Sequence, residues 1–409
     1  MSGCGAEHGL ISIDQALALI AQTVKPLVHE RVPVEQALQR VLAEEVHAPV
    51  DLPIFSQSAV DGYALAAAQH PIDAGQSFQV IGEIRAGQVS DVILKAGQAV
   101  RIFTGGKIPE GTTTVARQEI VRLHVEQQIE LTEDLAEHAD IRDAGEEVQA
   151  GQVLTTQGQS LGVGAIAALC MAGVQRVSVY RQAKIAVVVT GDEVASHVDE
   201  LQQGKIFDAN TPMLKAWCQQ QRLDAEFFWV ADQETALTEL LQDLQLRFDL
   251  IITTGGVSVG DYDFVRPVAL NLGFEQVFWK VKQKPGKPMF FACAQLAKHR
   301  CYLLGLPGNP AAVYVALQVY VSSLLRGLLG QSVSPAWVSA VLQHELKSDR
   351  RERFLRMSAQ VEQGQVQVTA LKKQQSHMLS NLFDSNFLLR VPADTVLSAG
   401  TVLNGLYLD

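Results

Sequence analysis

The chain has 409 residues, 47% of them hydrophobic and 19% charged, with 31 glycines spread throughout and a formal net charge of −11. Such a length exceeds one ordinary core, so about two to four domains of roughly 100–200 residues are expected, and the composition excludes a disordered or low-complexity chain. The acidic balance argues against a general nucleic-acid binder and requires any anion site to be locally concentrated.

At the N-terminus, MSGCGAEHGLI lacks the basic n-region of a secretory signal. Ser12-Ile13-Asp14-Gln15 reads as a capping box, and Leu17, Ile20, Ala21 and Val24 follow at helical spacing. A second helical stripe is expected at Leu38, Val41 and Leu42, before a Pro- and Ser-containing boundary near residue 50. Residues 75–140 carry short β-rich runs, such as Phe78 to Ile81 and Ala99 to Phe103, between turn residues, and predict a small β domain. Residues 161–171 read as a packed small-residue helix. The stretch 162–174 is the longest nearly apolar one and falls short of the ~20 residues that span a bilayer, so a cytoplasmic chain without membrane contact is expected.

From about residue 184 the pattern becomes α/β. Ile185 to Val189 and Leu250 to Ile252 look like buried parallel strands, with the helical stripe Leu237, Leu240, Leu241, Leu244 between them. Apolar runs at 277–281, 289–292 and 302–304 lead to Gly305-Leu306-Pro307-Gly308-Asn309-Pro310 and a long apolar helix. In open α/β sheets ligands bind outside the carboxyl ends of the strands, where these Gly, Asp and Pro loops fall. Beyond about 330 short strands return, with Val366 and Val368 flanking Gln367, and predict a C-terminal β domain. Cys4, Cys170, Cys218, Cys293 and Cys301 form no CxxC pair, so buried free thiols are expected.

Two motifs invite other functions. Gly256-Val257-Ser258-Val259-Gly260 matches GxSxG after a predicted strand, but Asp261-Tyr262-Asp263 delays any helix, unlike a hydrolase elbow. Gly162-Val163-Gly164-Ala165-Ile166-Ala167 resembles a dinucleotide fingerprint without a preceding strand, and no P-loop occurs. The stronger constellation pairs acids with lysines. Glu193, Asp232 and Asp263 offer carboxylates from three loops, suited to Mg2+ with substrate phosphates. Lys280, Lys282, Lys284 and Lys287 lie within eight residues. Glycines in Thr190-Gly191-Asp192 and Thr254-Gly255-Gly256 allow a phosphate to approach backbone N–H groups, and the helix start after Pro310 adds donors. Taken singly, the acids read as solvated loop residues and the lysines as an exposed strand face.

Ser58-Ala59-Val60-Asp61-Gly62-Tyr63-Ala64, Arg101-Ile102-Phe103-Thr104-Gly105, Thr190-Gly191-Asp192-Glu193, the block Thr254 to Phe264, Lys284-Pro285-Gly286-Lys287-Pro288 and Gly305 to Pro310 resemble, in order, the motifs of the MoeA and gephyrin E-domain family of molybdopterin molybdenumtransferases. The resemblance runs from about residue 10 to the C-terminus. It implies an α/β and β multidomain chain: a helical/mixed domain (1–50 with 141–180), a small β-rich domain (51–140), a central α/β molybdopterin-binding domain with a parallel-rich sheet (181–328) and a C-terminal β domain (329–409). It implies a homodimer that takes molybdate and adenylylated molybdopterin as substrates and releases AMP with Mg2+. An upstream molybdopterin adenylyltransferase and downstream molybdoenzyme maturation factors become expected partners. By the same resemblance Asp61, Thr104, Glu193, Lys280 and Lys284 are catalytic; Arg142, Glu147, Asp192, Gly255, Gly256, Ser258, Pro307, Pro310, Arg356 and Ser376 bind substrate; Glu193, Asp232 and Asp263 hold the metal. Val60 stands where the family commonly has Met, and Glu147 where it often has Asp. A catalytically weak molybdopterin carrier is the alternative, and a hydrolase using Ser258 comes third.

Overall fold

The computed structural model describes residues 10–88, 90–124, 127–191, 205–258, 263–297 and 299–408. Two compact units divide the chain: residues 30–179 form one, and the residues before 30 with those from 180 onward form the other.

In the 30–179 unit a six-stranded sheet runs Thr114–Arg117, Gly62–Leu65, Gln98–Ile102, Ser77–Ile84, Gln128–Leu131, Val121–Leu123. Gly62 permits the tight pairing of the first two strands, because a Cβ there would lie 2.0 Å from the Ala116 carbonyl oxygen. Period-two side chains give the sheet two apolar faces, one around Phe78 and Ile129 and the other around Val100 and Ile102. The rest of the unit packs Val34, Leu42, Leu161, Leu169, Val177 and Val179 together.

Two expectations need correction here. Leu38, Val41 and Leu42 form no α-helix: a 3-10 turn covers Val34–Gln36, Gln39 takes φ 62, and Val41 and Leu42 bridge to Ser160 and Val179. A left-handed residue breaks the i to i−4 ladder, so the stripe is satisfied by long-range bridges. The helix Val163–Met171 forms as expected and packs one face, with Leu169 buried and Ala165 and Ile166 against the same core, while Val163 and Met171 are exposed. Cys170 on it is exposed, whereas Cys218 and Cys301 are buried as expected.

The other unit holds the α/β domain. Ala225–Val230, Ile185–Thr190, Leu250–Thr254 and Arg300–Leu306 are neighbours and parallel; Phe290–Gln295 and Glu275–Trp279 continue the sheet antiparallel. Ile185, Val187 and Val189 face one layer of helices, Ile13–Thr23, Asn210–Gln220 and the helix from Pro310. Ala186 and Val188 face the other, Glu234–Arg247 and Val265–Asn271. Both faces are covered, which is why these strands read as unbroken apolar runs. Ser12 caps the first helix, accepting from Gln15 N at 3.1 Å while Gln15 accepts from Ser12 N at 2.9 Å. The helix Pro310–Leu328 is a longer apolar stretch than 162–174 and has the length and composition to cross a membrane, yet 78% of it is buried in this core. Its Leu317–Val321 turn is π-helical.

At the C-terminus Glu352–Glu362 pairs with both Gln365–Ala370 and Phe387–Val391, so the strands close into a barrel with Val338–Leu342 and Val402–Tyr407. The short strand Gln283–Lys284 adds to it in parallel beside Glu352 and Arg353. The lysine-bearing segment thus leaves the α/β sheet and joins the barrel.

Candidate functional site

Strand Ile185–Thr190 neighbours one strand reached on each side, Ala225–Val230 and Leu250–Thr254, and such a reversal opens a crevice at the carboxyl ends. There the strand-end loops are tied together. Thr190 Oγ1 donates to the Thr254 carbonyl at 3.0 Å, and Gly255 N donates to the Leu306 carbonyl at 3.0 Å. Gly255 and Gly256 take φ +87 and +67, and a Cβ on either would lie 2.8 Å from Thr190 Oγ1 or Val265 Cγ2. Glycine is required by conformation and by space alike. Asn210 Nδ2 holds the Gly308 carbonyl at 2.8 Å, and Trp279 Nε1 holds that of Val257 at 3.0 Å.

Asp232 lines a shallow recess with Thr190, Gly256, Phe264 and Val265, and Asp263 is half-buried just before the helix Val265–Asn271. Among the described residues no three His, Cys, Asp or Glu side chains converge on a metal-sized point. Asp192 and Glu193 lie outside the described residues. Ser258 is exposed, and among the described residues the next helix is Val265–Asn271.

The second half of the site is a wall of lysine and proline loops. Gly286, at φ +89, packs under Pro307: a Cβ there would meet Gln283 Nε2 at 3.0 Å, Ala312 at 3.6 Å and Pro307 at 3.8 Å. Fully buried Gln283 fastens this turn, donating to the Pro285 carbonyl at 3.0 Å while its Oε1 accepts from Tyr320 Oη. Lys284 Nζ lies 2.9 Å from Asp349 Oδ2, and that contact holds the Asp349 carboxyl below the usual carboxylate range. Lys280 takes φ 72 and sets its ammonium 4.0 Å from the Trp279 ring centroid. The Ser376 carbonyl accepts from Ala311 N at 3.3 Å, so the loop around Ser376 meets the start of the Pro310 helix.

Arg356 is 2% exposed, and its guanidinium points at carbonyls of the 373–378 segment. Within the 30–179 unit Asp61 and Thr104 are brought together: Asp61 Oδ1 accepts from Thr104 N at 2.9 Å and Thr104 Oγ1 at 2.7 Å. Those two bonds, the backbone one first, keep the Asp61 carboxyl below its ordinary range. Arg142 and Glu147 are both exposed, Arg142 on a short strand opposite Gln57, and no hydrogen bond or ion pair joins them.

The sequence matches three family models in chain order: the MoeA N-terminal region (domain I and II) over residues 11–173, a probable molybdopterin binding domain over 186–327 and the MoeA C-terminal region (domain IV) over 339–406. It is 33% identical to the molybdopterin molybdenumtransferase of Haemophilus influenzae over 386 residues, 92% of this chain and 93% of that one. The chain belongs to the MoeA family of molybdopterin molybdenumtransferases. Another member, from Staphylococcus epidermidis, is 30% identical over 94% of this chain and 92% of its own. The crystal structure of the molybdopterin biosynthesis MoeA protein from Pyrococcus horikoshii superposes with a TM-score of 0.81 at 27% identity, covering 97% of this chain and all of that one. A MoeA fold is therefore what the parallel-rich sheet and the C-terminal barrel build.

Asn210, Gln283, Tyr320, Asp349 and Trp279 carry site geometry that the sequence did not single out. For Trp279 and Gln283 the lysine segment was a signal; for Asn210, Tyr320 and Asp349 none existed, since their partners lie 98, 37 and 65 residues away.

Proposed function

We propose that this MoeA-family chain inserts molybdate into the dithiolene of adenylylated molybdopterin, with cleavage of the phosphoanhydride and release of AMP, using Mg2+. The observation that carries this is the pairing of two unlike surfaces at one sheet edge: a glycine turn open to a phosphate, and a lysine- and proline-lined wall. A phosphoanhydride and a doubly charged tetrahedral oxyanion both need cationic and N–H donors, and the wall supplies Lys280, Lys284 and the Ser376 hydroxyl, shaped by Pro307 and Pro310. Gly255, Gly256 and the Ser258 backbone take the phosphate side; Asp192 keeps its substrate-binding role from the family resemblance alone. Asp61, Thr104, Arg142 and Glu147 remain proposed substrate-region residues.

Asp232 and Asp263 would hold Mg2+, two carboxylates with substrate phosphate oxygens being a set this ion prefers, and Glu193 is the third acid the family resemblance assigns to it. The ion supplies neutralisation of charge on the departing phosphate. The dithiolene sulfurs belong to the substrate, so no cysteine is asked to react. Burial raises the Cys218 thiol to about 11 and raises Cys301 further, which keeps both protonated at neutral pH.

Asp263→Asn should lower AMP release about tenfold at fixed magnesium and move the magnesium dependence to higher concentration, since a neutral amide is a weaker ligand for a hard cation. The molybdate dependence should stay put. A molybdate shift with unchanged magnesium dependence would move Asp263 to the oxyanion side and undo the metal assignment. Ser258→Ala should retain activity within about twofold, because the proposed role is carried by backbone; a trapped acyl-enzyme at Ser258 would restore the hydrolase.

A cytoplasmic homodimer is part of the proposal. Its support, besides the family resemblance, is the helix Val163–Met171, whose Val163 and Met171 are 77% and 59% exposed. Closed two-fold dimers are the commonest oligomers and bury apolar faces of this kind. Glutamate at both positions should convert the protein to a monomer in sedimentation velocity; an unchanged dimer would place the contact elsewhere.

A further inference from the structure

We propose that Trp279 is a positioning residue that joins the two unlike surfaces of the site: its indole N–H fixes the Ser258 amide of the glycine turn, and its ring holds the Lys280 ammonium. The inference rests on the parts given to Ser258 and Lys280 above. Trp279 ends the strand Glu275–Trp279, pairs there with Phe290, and is half-buried against the core that contains Val257 and Val265. The Arg266 guanidinium, itself tied to Gln276 Oε1 at 2.8 Å, lies 4.3 Å from the ring centroid and helps to hold the ring in place.

On the turn side, three successive residues are anchored to three different elements. Gly255 N donates to the Leu306 carbonyl at 3.0 Å, the Gly256 carbonyl accepts from Val265 N at 3.0 Å, and the Val257 carbonyl accepts from Trp279 Nε1 at 3.0 Å. The Val257–Ser258 peptide is trans, so it is planar and its C=O and N–H point opposite ways. A carbonyl held on the indole therefore fixes the direction of the Ser258 N–H, the donor assigned to the phosphate. On the wall side, Lys280 takes φ 72 and sets its ammonium 4.0 Å from the ring centroid. Lys284 lies 2.9 Å from the Asp349 carboxylate, whereas among the described residues no carboxylate pairs with Lys280. A carboxylate would hold an ammonium and cancel its charge; an aromatic face holds it through the ring quadrupole and leaves the full charge for an anion. Lys280 is thereby placed without being neutralised.

Trp279→Phe keeps a ring and loses the N–H, and Trp279→Leu loses both. Amide hydrogen exchange at Ser258 should quicken about tenfold in both variants, with Leu250–Thr254 unchanged. In protein whose lysines carry isotope-labelled methyl groups, the Lys280 NMR signal, assigned by its absence in Lys280→Arg, should stand upfield through ring-current shielding. It should stay upfield in Trp279→Phe and return to the ordinary lysine position in Trp279→Leu. The kcat/KM for molybdate-stimulated AMP release should fall about tenfold in Trp279→Phe and about fivefold further in Trp279→Leu. On a Lys280→Ala background the two variants should agree within about twofold, because the ring then has no ammonium to hold. Unchanged Ser258 exchange in Trp279→Phe, a Lys280 signal indifferent to Trp279→Leu, or a gap between the two variants that persists without Lys280 would overturn the link. If exchange and signal move as stated while AMP release is unaltered in both variants, the link stands and the parts given to Ser258 and Lys280 in the reaction fail.

Discussion

Gly255→Ala is expected to lower kcat/KM for AMP release by about a hundredfold, the scale that follows a displacement of roughly 1 Å at a substrate-positioning backbone. Alanine at φ +87 costs about 1–2 kcal/mol by itself. The added Cβ also lies 2.8 Å from Thr190 Oγ1, which is committed to the Thr254 carbonyl at 3.0 Å and has no free direction of retreat. The strand-end loop must shift. Gly364→Ala is the control, because Gly364 has φ +78 and nothing within 4 Å of its added Cβ. It should lose about 1 kcal/mol of local stability and no activity. If the two variants fall equally in kcat/KM, strain alone is at work and the Gly255 turn is not part of the site.

The α/β core was legible because its strands are buried on both faces, which leaves uninterrupted runs such as Ile185 to Val189, and because Ser12 and Gln15 announce a helix start within four residues. The glycine turn was legible for a similar reason, since φ above zero and a close neighbour exclude other residues. Failures came where local pattern competes with distant partners. Leu38, Val41 and Leu42 keep helical spacing, yet the backbone of Val41 and Leu42 pairs with residues 160 and 179. The apolar helix at 163–171 packs one face as expected, but composition does not say that its other face meets solvent.

Asp249→Ala should cost about 3–5 kcal/mol, the usual penalty when one partner of a buried ion pair is removed. Asp249 is 3% exposed, accepts two Arg181 bonds at 2.7 Å each and a third from Lys184 N at 2.8 Å, and precedes Leu250, the first residue of the central strand. Its backbone also links Lys184 and Tyr302, so the loss falls on the entry of three neighbouring strands. Denaturant unfolding should show the lowered stability, while kcat of the folded enzyme stays near wild type, because Asp249 lies at the amino end of a strand whose carboxyl end bears Gly255. A loss below about 1 kcal/mol would make this an ordinary surface pair.

The central claim is that the two unlike surfaces at the sheet edge serve one reaction. Purified protein given adenylylated molybdopterin and magnesium should release AMP slowly alone and at least about tenfold faster with molybdate, with kcat rising along with molybdate occupancy. Binding of adenylylated molybdopterin without any molybdate-stimulated AMP release would contradict it and make the chain a molybdopterin carrier of the same fold.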